Sequence, residues 1–111
     1  MLEVTVKRSQ WLRGEGGMAS FLLRGSDGKM CCMGFAALAA GATPSDIVGR
    51  KTVNGKNTYT MTAQVPAIHA TGDDLKALYD NNDNTFLSQA KRETNITIEG
   101  LKIGIKFTFV D

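Results

Sequence analysis

Leu2-Glu3-Val4-Thr5-Val6-Lys7 alternates apolar and polar side chains and is rich in β-branched residues, the pattern of a strand with one buried face. Ile105-Lys106-Phe107-Thr108-Phe109-Val110 repeats that pattern near the other end of the chain. Between them, Met30 to Ala40 is uncharged and built from strong helix formers, with Gly41 placed to end it, so a helix buried on most sides is expected there. Thr43-Pro44 starts a short second helix through Val48, with threonine as its cap, proline in its first turn and Gly49 as its stop. Gly72-Asp73-Asp74 ahead of Leu75, Leu78 and Tyr79 opens a third, and Asn81-Asn82-Asp83-Asn84 reads as a polar break after it. Phe86, Leu87 and Ala90 point to a helix over roughly 86–101 that stops at Gly104; residues 94–101 also fit a strand of a hairpin through Gly100. Asn54-Gly55 between Lys51-Thr52-Val53 and Thr58 to Thr62 is a hairpin signal. Ala19 to Leu23 fits a short strand or a turn of helix.

These elements predict a single α+β domain over residues 1–111: a mainly antiparallel sheet packed against a buried central helix and a C-terminal helix. A sheet this small leaves an edge that can pair, so a homo-oligomer is expected. The chain has 111 residues, 42% hydrophobic and 22% charged, which suits one globular domain and excludes wholesale disorder. No apolar run approaches the ~18–20 residues of a membrane span, and Met1-Leu2-Glu3-Val4 does not open a secretory signal. The formal charge of +2 is too small to hold a long nucleic acid by charge alone. That charge is uneven: residues 1–60 hold eight basic and four acidic side chains, residues 61–111 five and seven. A small anionic ligand on the first half remains open.

Cys31, Cys32 and the lone His69 are too few for a structural zinc site of about four such ligands, and no other metal or cofactor is expected. Asp80 and Asp83 lack the spacing and closing glutamate of a calcium loop. The adjacent cysteines read as buried thiols, with a cysteine nucleophile paired to His69 as the alternative. Gly25-Ser26-Asp27-Gly28-Lys29-Met30 lacks the hydroxyl of a Walker loop, yet it brings a cation and glycine-flanked N–H groups to a helix start, where an anion can sit. Trp11 with Arg8, Arg13 and Arg24 can stack a base and fork onto phosphate; the same tryptophan can anchor a loop on the core.

Trp11-Leu12-Arg13-Gly14, Ser20-Phe21-Leu22-Leu23 and Gly28-Lys29-Met30-Cys31-Cys32-Met33-Gly34-Phe35 resemble segments of a family of small phage and prophage proteins. The likeness extends to Leu78 through Asp83, Arg92-Glu93, and Gly104 through Val110. The chain departs from the family at Met33, where leucine is expected, and across residues 50–65. The resemblance implies a non-enzymatic accessory protein of the bacterial host cytoplasm that counters host defence. Two modes follow. In the first, the protein sequesters a nucleotide-derived immune signal on Arg8, Trp11, Arg13, Gly14, Arg24 and Lys29. In the second, it blocks a host defence protein directly, as anti-CRISPR proteins do. A cysteine-dependent enzyme is the third reading.

Overall fold

The computed structural model describes residues 1–14, 20–50 and 72–111. Its elements run β1 (Leu2–Lys7), a 3-10 turn (Arg8–Gln10), α1 (Cys32–Ala39), α2 (Pro44–Ile47), α3 (Gly72–Asp83), α4 (Gln89–Lys102) and β2 (Ile105–Val110). The Asn54-Gly55 hairpin and His69 lie outside the described residues.

The expected mainly antiparallel sheet is corrected. Among the described residues the only sheet is β1 beside β2, and the two run parallel, in register from Leu2 opposite Ile105 to Lys7 opposite Val110. Alternation foretells that a strand has a buried face; it carries nothing about direction. Direction is set here by α4, which runs back along the molecule and turns at Gly104 (φ 81°), so that β2 starts beside the start of β1. Leu2 N–H donates to Gly104 O at 2.9 Å and closes that end. Ala19 to Leu23 forms no strand over its described residues beyond an isolated bridge between Leu23 and Val48.

Val4 and Val6 of β1, with Ile105 and Phe107 of β2, turn inward, while Glu3, Thr5, Lys106 and Thr108 face out. Helix α1 packs behind β1 and is buried from Cys32 to Ala37, as its uncharged sequence requires. Gly34 lets it press on the backbone of Leu22: a Cβ there would lie 2.8 Å from Leu22 C and closer still to Leu22 O. Gly41 ends the turn after α1 with φ 106°. The short α2 is capped by Asp46, whose carboxylate accepts from Thr43 N–H at 2.9 Å. Helices α3 and α4 pack on each other, and α4 lies across β2. At Gly100 the contact is close, since a Cβ would come 2.6 Å from the Phe107 ring and 2.8 Å from Ile105 O.

Two boundaries move. α4 starts at Gln89, because the Ser88 side chain caps it by accepting from Lys91 N–H at 3.1 Å, which leaves Phe86 and Leu87 outside. The expected break at Asn81–Asn84 begins only at Asn84: Asn81, Asn82 and Asp83 are the last turn of α3. Among the described residues no helix is long and apolar enough to cross a membrane.

Candidate functional site

The six residues nominated from sequence fall into two groups. Arg8, Trp11, Arg13 and Gly14 follow one another along the segment after β1. Arg24 and Lys29 close a separate turn, with Arg24 N–H donating to Lys29 O at 2.8 Å.

In the first group Trp11 is 1% exposed, so the core alternative is the one realised. Its indole N–H donates to Asn82 Oδ1 at 2.7 Å, its ring meets Phe109 with centroids 4.8 Å apart, and the Arg13 guanidinium lies 4.8 Å from its ring centre. A ring held on these partners cannot stack a ligand base without leaving the core. Arg13 also donates to the Gln89 side chain. Arg8 forks onto Glu93, Nε to Oε2 at 3.0 Å and Nη2 to Oε1 at 2.8 Å, and reaches Asp111 Oδ1 at 2.9 Å with Nη1. Gly14 takes φ 71°, and a Cβ would lie 2.7 Å from Asp83 O, so its place is packing against the end of α3. The rest of its glycine loop falls within residues 15–19, outside those described.

In the second group Arg24 forks onto Asp27 with Nε at 3.0 Å and Nη2 at 2.5 Å, and Lys29 N–H donates to Asp27 Oδ1 at 3.1 Å. These contacts hold the Asp27 carboxyl down at about 2, the Arg24 hydrogen bond first and the Lys29 N–H next. The nearby helix start is closed too: α1 begins at the buried Cys32, and Asn82 Oδ1 accepts the Cys32 N–H at 2.9 Å.

Asn82 is the residue the sequence reading missed. It is 0% exposed, and its amide links three segments. Oδ1 accepts from Trp11 and Cys32; Nδ2 donates to Leu12 O at 2.9 Å and to Asp83 Oδ1 at 2.9 Å. Ser20 completes the network, its Oγ donating to Leu12 O at 3.1 Å and accepting from Gly14 N–H at 2.8 Å. Arg92 works beside it on carbonyls alone: Nη1 donates to Arg13 O at 2.8 Å and Nε to Leu87 O at 3.3 Å. The shared neighbourhood of Trp11, Leu78 through Asp83 and Arg92 is therefore a packing unit.

Both cysteines are buried free thiols. Burial pushes Cys31 up to about 12 and Cys32 well above its ordinary value, so both stay protonated, and a protonated thiol is a poor nucleophile. No group of three potential metal ligands occurs among the described residues.

Two surface features remain. An open groove of about 530 Å³ runs between α4 and β2, walled by Ala90, Thr94, Thr97 and Ile98 on the helix, by Phe107, Thr108 and Phe109 on the strand, and by the Arg8–Glu93 pair. On the link between α3 and α4, Phe86 is 99% exposed. Its missed signal is Ser88: a capping serine two residues later puts the phenylalanine before the helix.

The Arg8 hydrogen bonds hold the Glu93 carboxyl below its ordinary value against the opposing effect of burial. The stabilisation from a lowered carboxyl is full above the unfolded value, ~4.3, and fades as pH falls through the folded one. Glu93→Gln is therefore expected to melt below the wild type at pH 7, and the gap to close below about pH 4. Paired thermal melts across pH 2–7 measure this, and a gap that stayed constant into acid would contradict the assignment.

Comparisons with protein-family models, curated proteins and solved structures find no match.

Proposed function

We propose that the chain is a non-catalytic binding protein that acts by docking onto another protein, with Phe86 as the anchor of that contact. The carrying observation is a fully exposed aromatic on a braced loop. Phe86 N–H donates to Asn84 Oδ1 at 3.0 Å, Leu87 N–H to Asn84 O at 3.2 Å, and Arg92 Nε to Leu87 O at 3.3 Å. A ring presented on a preorganised loop loses little entropy on binding, and burying it contributes ~1.5–3 kcal/mol. Aromatic side chains, phenylalanine among them, are enriched at the cores of protein interfaces. With the phage resemblance, the partner is a component of host defence that offers an apolar pocket.

Sequestration of a nucleotide-derived signal is the second reading, and one observation favours it: Asp111, on Arg8 Nη1, is 98% exposed, so a phosphate oxygen can replace it. Against it, Arg8 already faces two carboxylates and Arg24 one.

One experiment separates the readings. Phe86→Ser is expected to leave the melting temperature unchanged and to abolish protection of an infecting phage in defence-bearing cells. Full protection by that variant would remove the docking proposal. A rise in wild-type melting temperature with cyclic oligonucleotides or ADP-ribose would replace it with sequestration.

A further inference from the structure

We infer that the α4–β2 face is a self-complementary surface that takes a second copy of this chain, with a two-fold axis passing through Thr108. The inference is independent of the docking role given to Phe86.

The backbone supplies the first argument. Leu2 opposes Ile105 and its N–H donates to Gly104 O. In a parallel pair this sets the phase of the whole ladder. Gly104, Lys106, Thr108 and Val110 bond towards β1, and the N–H and C=O groups of Phe107 and Phe109 point to the opposite edge. Among the described residues, none bonds those outward groups. The groove confirms where the edge is: Phe107, Thr108 and Phe109 are consecutive, yet all three line it. Successive residues of a strand face opposite sides, so three in a row share a groove only along the strand's edge.

An edge invites another strand. A two-fold axis perpendicular to the sheet must pass between identical residues, because directly opposed residues share a face. An axis at Thr108 sets Phe107 opposite Phe109 of the second copy, both with outward groups. That register forms four backbone hydrogen bonds and a continuous four-stranded sheet.

Helix α4 supplies the second argument, because the same axis must also suit it. Gly100 lies against Ile105 O and the Phe107 ring, so it is level with the middle of residues 105–107. From there to Thr108 the strand rises ~6.6 Å, which is about 4.4 residues of helix, so the axis meets α4 near residues 95–96. The exposed residues of α4 that line the groove are Ala90, Thr94 and Ile98, and Leu101, also exposed, continues their helical face one turn on from Ile98. Reflected through that axis, Ala90 faces the second copy's Leu101 and Thr94 faces its Ile98. Small side chains thus meet large ones along the whole stripe. Ile98 and Leu101 are 49% and 46% exposed in the single chain, and this arrangement covers them.

The area is sufficient. A strand of ~20 Å and a helix face of ~18 Å, in layers ~10 Å apart, give a footprint of roughly 20 × 20 Å. With side-chain relief this is on the order of 600 Å² per copy, or about 1,200 Å² in total, at the low end for stable complexes.

The intact chain tests this by sedimentation velocity from 1 to 200 µM. A concentration-dependent dimer is expected, and Ile98→Glu/Leu101→Glu, at exposed positions, is expected to remain folded and monomeric. Thr108→Cys tests the axis itself. Opposed residues of a non-hydrogen-bonded pair lie ~4.5 Å apart, within disulfide range, so mild oxidation is expected to link two copies. Lys106→Cys is the control: its counterpart is four residues away, about 13 Å, and no link is expected. The native Cys31 and Cys32 are buried and do not compete. A monomer at 200 µM would overturn the inference, as would a dimer that Thr108→Cys fails to link.

Discussion

Replacing Asn82 with leucine is expected to leave the protein folded at 25 °C but to remove a large share of its stability. The two side chains are similar in size, so the effect is one of hydrogen bonding and not of volume. Leucine leaves the indole N–H of Trp11 and the N–H of Cys32 without their acceptor, in a place with 0–1% exposure. Leu12 O keeps Ser20 but loses the amide. A buried donor stripped of its partner costs ~1–3 kcal/mol, so two together cost about 2–6 kcal/mol. A domain of this size holds only ~5–15 kcal/mol in all. In a melt the loss reads as a drop of more than about 10 °C. Trp11→Phe keeps Asn82 on Cys32 and should cost less. A leucine variant melting within a few degrees of wild type would show that Asn82 is not the hub described.

Gly34→Ala is expected to have the opposite sign to the usual one. Within an exposed helix the change stabilises by ~1 kcal/mol. Gly34 is inside α1, but the added Cβ would strike Leu22 O and come 2.8 Å from Leu22 C and 2.9 Å from the Met30 Cβ. Backbone cannot swing aside as a side-chain tip can, so α1 must shift away from residues 20–23. Overpacking of this kind costs ~1–3 kcal/mol and more where backbone is the obstacle, and the upper end is expected. Gly25→Ala is the matched control, since its Cβ would find Val48 Cγ2 at an ordinary 3.6 Å. Urea melts of the two variants are expected to separate widely; equal stabilities would refute the close approach.

Those two positions show where sequence reading succeeds and where it stops. The alternation in residues 2–7 and 105–110 carried both strands, and the uncharged run with its closing Gly41 carried α1, because each is a local pattern with a local cause. The parallel pairing is not local: it joins residues about a hundred apart, and no side chain in either strand encodes it. Asn82 was hidden for a related reason. An asparagine in a polar run suits a turn, and only the convergence of Trp11, Leu12 and Cys32 makes it a core residue. The cations were read correctly as a basic first half, but their carboxylates lie elsewhere: Glu93 and Asp111 answer Arg8 from the far end of the chain. Arg24 and Asp27, three residues apart, are legible as a pair in the sequence, whereas the basic reading gives Arg24 to a ligand.

The parallel ladder also fixes the order of events in synthesis. Leu2 meets Ile105, so β1 leaves the ribosome about a hundred residues ahead of its only partner among the described strands. Closing a loop of that length costs about 4 kcal/mol of chain entropy beyond the constant term. Until then Val4 and Val6 lack their ladder partners among the described strands, and α4 lacks the strand it lies across. A nascent chain that has reached Lys102 holds the sequence of every described helix and still lacks β2. The described sheet therefore closes only after Ile105 to Val110 have left the ribosome.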